Sequence, residues 1–112
     1  MQVIAGAGRY TPPNDGEPNH WVVHLTTDDL SVGTYSIPEG GLDDQTTHYE
    51  DEIYVVYAGT ATLVTDSGSA QVGPGAVILV PSGEKHVFTD VHGDFSVLGI
   101  FAPPYMSRKP AG

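Results

Sequence analysis

The sequence predicts an all-β fold, and three observations carry that prediction. Apolar residues fall in short runs rich in Val, Ile, Tyr and Phe, each bounded by turn-forming residues. The 14 glycines and 9 prolines make up about a fifth of the 112 residues and are scattered between the runs. No segment keeps apolar residues at helical spacing over about ten positions.

Taken in order, residues 1–19 ("TPPNDGEP" among them) read as an arm laid over the body. The first strand is "HWVVHL" (20–25), with His20 and His24 on one face and Trp21, Val23 and Leu25 on the other. After "TTDDL" come "SVGTYSI" (31–37) and the turn-rich "PEGGLDDQ". The strands "EIYVVYA" (52–58) and "TATLVT" (60–65) follow, and "DSG" then supplies a hairpin loop with Gly where φ > 0 is needed. "SAQV" (69–72), "AVILVP" (76–81) and "KHVFTD" (85–90) are separated by "GPG" and "SGE". "VHGD" reads as a turn with His92 in solvent, and "FSVLGIF" (95–101) is the last strand. The tail, 105–112, reads as frayed, so the expected organisation is an arm (1–19), one body (20–104) and a tail. Short strands at even spacing must stack as a sandwich or close into a barrel to hide their edges.

Composition narrows the chemistry. The chain has no cysteine, so disulfides, thiolate metal sites and a cysteine nucleophile are excluded. Four Lys/Arg against fourteen Asp/Glu give a net charge of −10, which repels nucleic-acid and anionic membrane surfaces. No run approaches the roughly 20 apolar residues of a membrane span, and the N-terminus shows no export signal, so a cytoplasmic location is expected. Glu39, Asp43, Asp44, Glu50, Asp51 and Glu52 crowd around His48. That acidic rim suits a bound cation and a neutral or cationic substrate, unless Arg9 serves a carboxylate locally.

Two histidines and one glutamate are placed to meet. On a strand, residues two or four apart share a face, so His48, Glu52 and Tyr54 point one way. His86 lies on another strand, with Phe88 and Asp90 on its face. A barrel aiming both faces inward gathers two imidazoles and a carboxylate, a donor set for a divalent first-row metal with open positions. His24 would face the same cavity if Trp21 pointed outward, as an additional ligand or a general base. Tyr54 would line the pocket as a weak acid. The blander reading makes His24 a solvated polar residue and Tyr54 core. Gly59, Gly73, Gly75 and "PSG" (81–83) are architectural positions where the chain must turn.

These spacings resemble the cupin superfamily, here a small single-domain bacterial cupin. Its motifs are G-x5-H-x-H-x3-4-E-x6-G and G-x5-P-x-G-x2-H-x3-N. Gly40, Thr46, His48, Glu52 and Gly59 follow the first, and Gly75, Pro81, Gly83, His86 and Asp90 follow the second. Thr46 stands where the family's first histidine ligand belongs, and Asp90 replaces an asparagine that is not a ligand. A subset of bacterial cupins carries Gln three residues before the retained His, followed by Glu-Asp-Glu. The chain is similar to it in "QTTHYEDE" (45–52), which makes Gln45 the candidate fourth donor beside His48, Glu52 and His86.

The resemblance implies a jelly-roll β-barrel (double-stranded β-helix) and one divalent metal ion, with zinc placed ahead of iron. It implies an enzyme acting on a small-molecule substrate in bacterial secondary metabolism, the metal serving as Lewis acid for cyclisation, isomerisation or rearrangement. An Fe(II) dioxygenase, a non-catalytic binding or sensor barrel, and support of N–N bond formation beside a partner are the alternatives. A homodimer paired through sheet edges is expected. A pocket packed shut by Tyr54, Val56 and Phe88 would favour the non-catalytic reading.

Overall fold

The computed structural model describes residues 1–108; the end of the expected tail, 109–112, lies outside the described residues. Among the described residues, six antiparallel strands make one continuous sheet that curls into a jelly-roll β-barrel: β1 (His20–Thr26), β2 (Ser31–Ile37), β3 (Asp51–Thr65), β4 (Gly68–Val72), β5 (Val77–Val80) and β6 (His86–Ala102). Their order is β1-β2-β6-β3-β4, with β5 alongside β3. Among the described residues no helix is long and apolar enough to cross a membrane.

Two long strands replace four short ones. The runs 52–58 and 60–65 join through Gly59 into β3, and 85–90 and 95–101 join into β6. "VHGD" is therefore strand rather than turn, although His92 is exposed. What looks like a turn signal is a bend: the β3–β6 register slips at Val56/Ala58, Ala58/Thr60 and Thr60/Thr62, and such bulges curve a sheet without ending it. Gly59 takes φ 73°, and a Cβ there would lie 2.8 Å from Phe95 Cα, so only glycine lets the two backbones cross this closely.

The bend divides the barrel into two ends. The second half of β3 and the first half of β6 pack Leu63, Phe88, Val91 and Phe95 with Val72 of β4. The first half of β3 pairs β5 and the second half of β6, and there its burial alternates strictly, with Glu52, Tyr54 and Val56 inward. On the outer side Ile53, Val77 and Leu79 are left exposed.

The arm and tail are both tied down. Gly8 N donates to Thr34 Oγ1 (2.8 Å) and Thr11 N to Ser36 Oγ (3.1 Å), covering the outer face of β2. The expectation of a frayed tail is corrected for residues 105–108. Tyr105 N donates to Ser31 Oγ, while Met106 N (3.1 Å) and Arg108 N (2.9 Å) donate to the two carboxylate oxygens of Glu50. Glu50 is fully buried, and these backbone amides meet part of the cost of burying it.

Candidate metal centre

His48 lies in the irregular segment before β3 and not on a strand with Glu52 as expected, so backbone irregularity rather than alternation aims it; Glu52 follows at the start of β3, and His86 opens β6. Their side chains converge where the first half of β3 crosses toward β6. His48 Nε2 lies 2.9 Å from Glu52 Oε1 and 3.2 Å from His86 Nε2, and His86 Nε2 lies 3.6 Å from the same glutamate oxygen. All three residues are buried.

The far sides of both rings are committed. His48 Nδ1 donates to Glu50 O (3.0 Å) and His86 Nδ1 to Glu84 O (2.9 Å). With the Nδ1 positions protonated, both neutral imidazoles turn an Nε2 lone pair toward the other. Two lone pairs at 3.2 Å repel unless a cation, a proton or a metal ion, sits between them. Two donors each about 2.0–2.1 Å from one ion lie roughly 2.9–3.4 Å apart at ordinary coordination angles. The shorter two separations fall in that range. Carbonyl-oriented imidazoles beside a carboxylate fit a divalent ion.

The electrostatics agree with a shared cation. Burial opposes charge on His86, but Glu52 and the Glu84 carbonyl outweigh it and raise its pKa. Burial pushes the Tyr54 phenol well above its usual range, and the neighbouring Glu52 adds to this. Tyr54 therefore stays protonated, its hydroxyl 3.1 Å from His86 Nε2 and donating to Gln45 Oε1 at 3.0 Å.

Gln45 reaches inward because residues 41–48 form no strand, so alternation does not govern them. Asp43 orients it: Gln45 Nε2 donates to Asp43 Oδ2 (2.7 Å), which leaves the amide oxygen facing Tyr54. Asp43 also accepts from Tyr35 Oη (2.7 Å), Gln45 N and Phe88 N (2.8 Å). Thr46, at the position of the missing histidine, is exposed.

The structure does not bring His24 to this centre. Trp21 is the residue of β1 that faces the cavity, and His24 sits at a bulge on the outer face, its Nε2 2.6 Å from Thr34 Oγ1 under the arm. The reading of His24 as ligand or base required Trp21 to point outward; it points inward because it packs over two paired glycines. A Cβ at Gly33 would collide with its ring, and one at Gly99 would lie 2.8 Å from Glu52 Oε2. Arg9 belongs to the arm, away from the cavity lining.

Sequence reasoning missed four contributors. Asp43 and Glu50 were part of an undivided acidic rim, of which Glu39, Asp44 and Asp51 are exposed while Asp43, Glu50 and Glu52 are buried. Trp21 and Tyr105 wall the cavity beside the centre, and no local signal assigned them to it. The cavity is not packed shut: about 170 Å³ remains, with Glu52, Tyr54 and Gln45 along its inner side.

Comparison with known proteins bears on the whole chain. The Cupin domain family model matches residues 33–101. An uncharacterized protein of Streptomyces coelicolor is 36% identical over 91 residues, which span 81% of this chain and 84% of that protein. The structure of KdgF from Halomonas sp. superposes with a TM-score of 0.71 at 21% identity, covering 80% of this chain and 84% of that one. Salicylate 1,2-dioxygenase from Pseudoaminobacter salicylatoxidans superposes with a TM-score of 0.71 at 11% identity, over 80% of this chain and 26% of the dioxygenase. At these identities the superpositions establish the fold.

Proposed function

The chain belongs to the cupin domain family, and on that premise we propose that its barrel is a metal-dependent enzyme acting on a small molecule. One observation carries the reading: two buried imidazoles whose Nδ1–H groups are tied to carbonyls face each other across 3.2 Å, with the Glu52 carboxylate beside them. His48, Glu52 and His86 would hold the ion, with Gln45 as the fourth donor. A divalent metal there supplies Lewis-acid polarisation of a substrate oxygen, suited to cyclisation, isomerisation or rearrangement.

The remaining work falls to the chain. Tyr54, held protonated, would turn its single O–H from Gln45 Oε1 to a substrate oxygen as negative charge grows there, once the Gln45 oxygen serves the ion. Asp43 keeps Gln45 and, through it, the Tyr54 hydroxyl in register. Trp21 and Tyr105 shed water from the cavity when a substrate enters.

A second reading rests on the same donors. Two histidines and one carboxylate with open positions also suit Fe(II) and O₂ chemistry, and a structural neighbour is a dioxygenase. Elemental analysis of protein purified anaerobically, beside His86→Ala, separates the two. Zinc near one per chain, lost in the variant, supports Lewis-acid chemistry, whereas iron lost in the variant supports the dioxygenase. Absence of metal from both proteins, even after incubation with excess zinc or iron, would leave a binding barrel.

A homodimer, a cytoplasmic location and a role in secondary metabolism belong to the same proposal. The exposed outer row of Ile53, Val77 and Leu79 supports self-pairing. Leu79→Lys should shift sedimentation from dimer to monomer; a wild-type monomer at high concentration refutes the pairing.

A further inference from the structure

We infer that the cavity beside the centre selects a compact organic cation, a single-ring or short-chain amine seated against Trp21 and Tyr105 with its ammonium toward Asp44. The inference rests on the proposed reading of the centre as the reactive end of the cavity, and it names the substrate class that end would receive.

Size comes first. A cavity of about 170 Å³ is only slightly larger than one of about 150 Å³ that accepts benzene. A molecule of one ring with one or two substituents fills it. Larger ligands would have to leave part of themselves in solvent.

The walls are aromatic on one side. Trp21 is the hub: its ring lies 6.3 Å from Tyr35 and 6.0 Å from Tyr105, both near edge-on, so the three rings form a corner rather than a stack. Where these rings line the cavity, any exposed π surface can receive a cation or a ring edge, because π faces carry the negative end of the aromatic quadrupole.

Charge gives the sign. Asp44 and Glu52 line the cavity, and among the described residues no lysine or arginine does. Asp44 is already held in place, since Asn19 Nδ2 donates to its Oδ1 at 2.8 Å and also to Leu42 O. Among the described residues its second oxygen has no protein donor. Glu52 is buried with its Oε1 on the histidines, so the exposed Asp44 is the carboxylate at the mouth that a ligand meets first. In the metal-free protein an anionic substrate would meet two carboxylates and, among the described residues, no lysine or arginine at this mouth; only an ion in the proposed centre would offset them.

Trp21 is the only tryptophan of the chain, so its fluorescence reports occupancy directly. The probes are benzylamine, benzyl alcohol and benzoate, alike in shape and differing in charge. They are titrated into the protein as purified and after chelator treatment, with metal content measured on both samples. In chelator-treated protein benzylamine should bind about ten times more tightly than benzyl alcohol, with benzoate weakest. Asp44→Asn should reduce the amine's advantage to within about threefold, and Trp21→Leu, followed by calorimetry, should weaken the amine about tenfold. Benzoate binding as tightly as benzylamine in the metal-free protein overturns the inference, as does an amine preference that survives Asp44→Asn unchanged. Failure of all three probes in both samples overturns it too. A protein that holds no metal yet keeps the amine preference refutes the metalloenzyme reading and leaves the cation pocket standing. One that holds zinc but shows no preference does the reverse.

Discussion

The two ends of the barrel hang on the same two strands, yet they are built on opposite principles. Beyond the bend at Gly59, β3 and β6 bury Leu63, Phe88 and Phe95, each at most 4% exposed and without a polar atom in the side chain. Before the bend, β3 buries Glu52 and Tyr54, the irregular segment ahead of it adds Asp43, His48 and Glu50, and His86 reaches in from the first position of β6. The dry end stabilises through area removed from water, about 1.5–3 kcal/mol for each large side chain. The polar end must satisfy every donor and acceptor or lose that stability. It does so largely with backbone groups, namely the Glu50 and Glu84 carbonyls and the Phe88, Met106 and Arg108 amides. The barrel thus concentrates apolar burial in one place and polar groups in another.

The largest expected effect lies at the dry end. Phe95→Ala should lower stability by about 3–5 kcal/mol, read from the denaturant midpoint, while the folded fraction keeps its metal stoichiometry. Stability within 1 kcal/mol of wild type, again as an approximate bound, would dissolve the division between ends.

Glu52→Gln tests the other end. The amide is nearly isosteric, so metal-free stability should change by less than the Phe95 variant does. Zinc affinity, measured against a competing chelator, should fall by more than about 100-fold, since even residues that only orient a ligand cost 10–100-fold. Unchanged affinity would remove Glu52 from the donor set.

Asp43 joins the two ends, because one carboxylate oxygen takes both Gln45 Nε2 and the backbone amide of Phe88. Asp43→Asn replaces one acceptor oxygen with a donor and leaves a buried N–H unmatched. A loss of about 1–3 kcal/mol is expected, together with weaker metal binding. A change in one property alone would show that the ends are independent.

The smallest effect concerns alkaline pH. Burial, and then the adjacent Asp43, push the Tyr35 phenol far above its ordinary range. Above about pH 10 the unfolded chain releases that proton while the folded one keeps it, so stability falls as pH climbs, by at most about 1.4 kcal/mol per pH unit for one group. Tyr35→Phe should fall less steeply in the same range. Parallel slopes would mean that Tyr35 ionises freely in the folded protein.

Much of this was legible in the sequence where a period-two pattern governs. Glu52, Tyr54 and Val56 face inward because alternation along β3 permits nothing else once one face is buried. The resemblance of the stretches from Gly40 to Gly59 and from Gly75 to Asp90 to the cupin motifs pointed to His48, Glu52 and His86. The turn signals at Gly59 and "VHGD" were misread, because glycine marks a bulge as readily as a turn. Only the partner strand tells the two apart.

The sequence alone determined an all-β fold and the inward face of Glu52 and Tyr54 through local alternation, and the resemblance of its two motifs to the cupin pattern singled out His48 and His86. The tertiary structure decided which face of β1 lines the cavity, because Trp21 and His24 compete for it and the glycine pair across the sheet admits the indole. It also decided that Asp43 and Glu50 are buried while Asp44 and Asp51 are not. In irregular segments no periodicity assigns a side to a carboxylate; the amides that come to meet it, from Phe88, Met106 and Arg108, are 45 to 58 residues away in the chain.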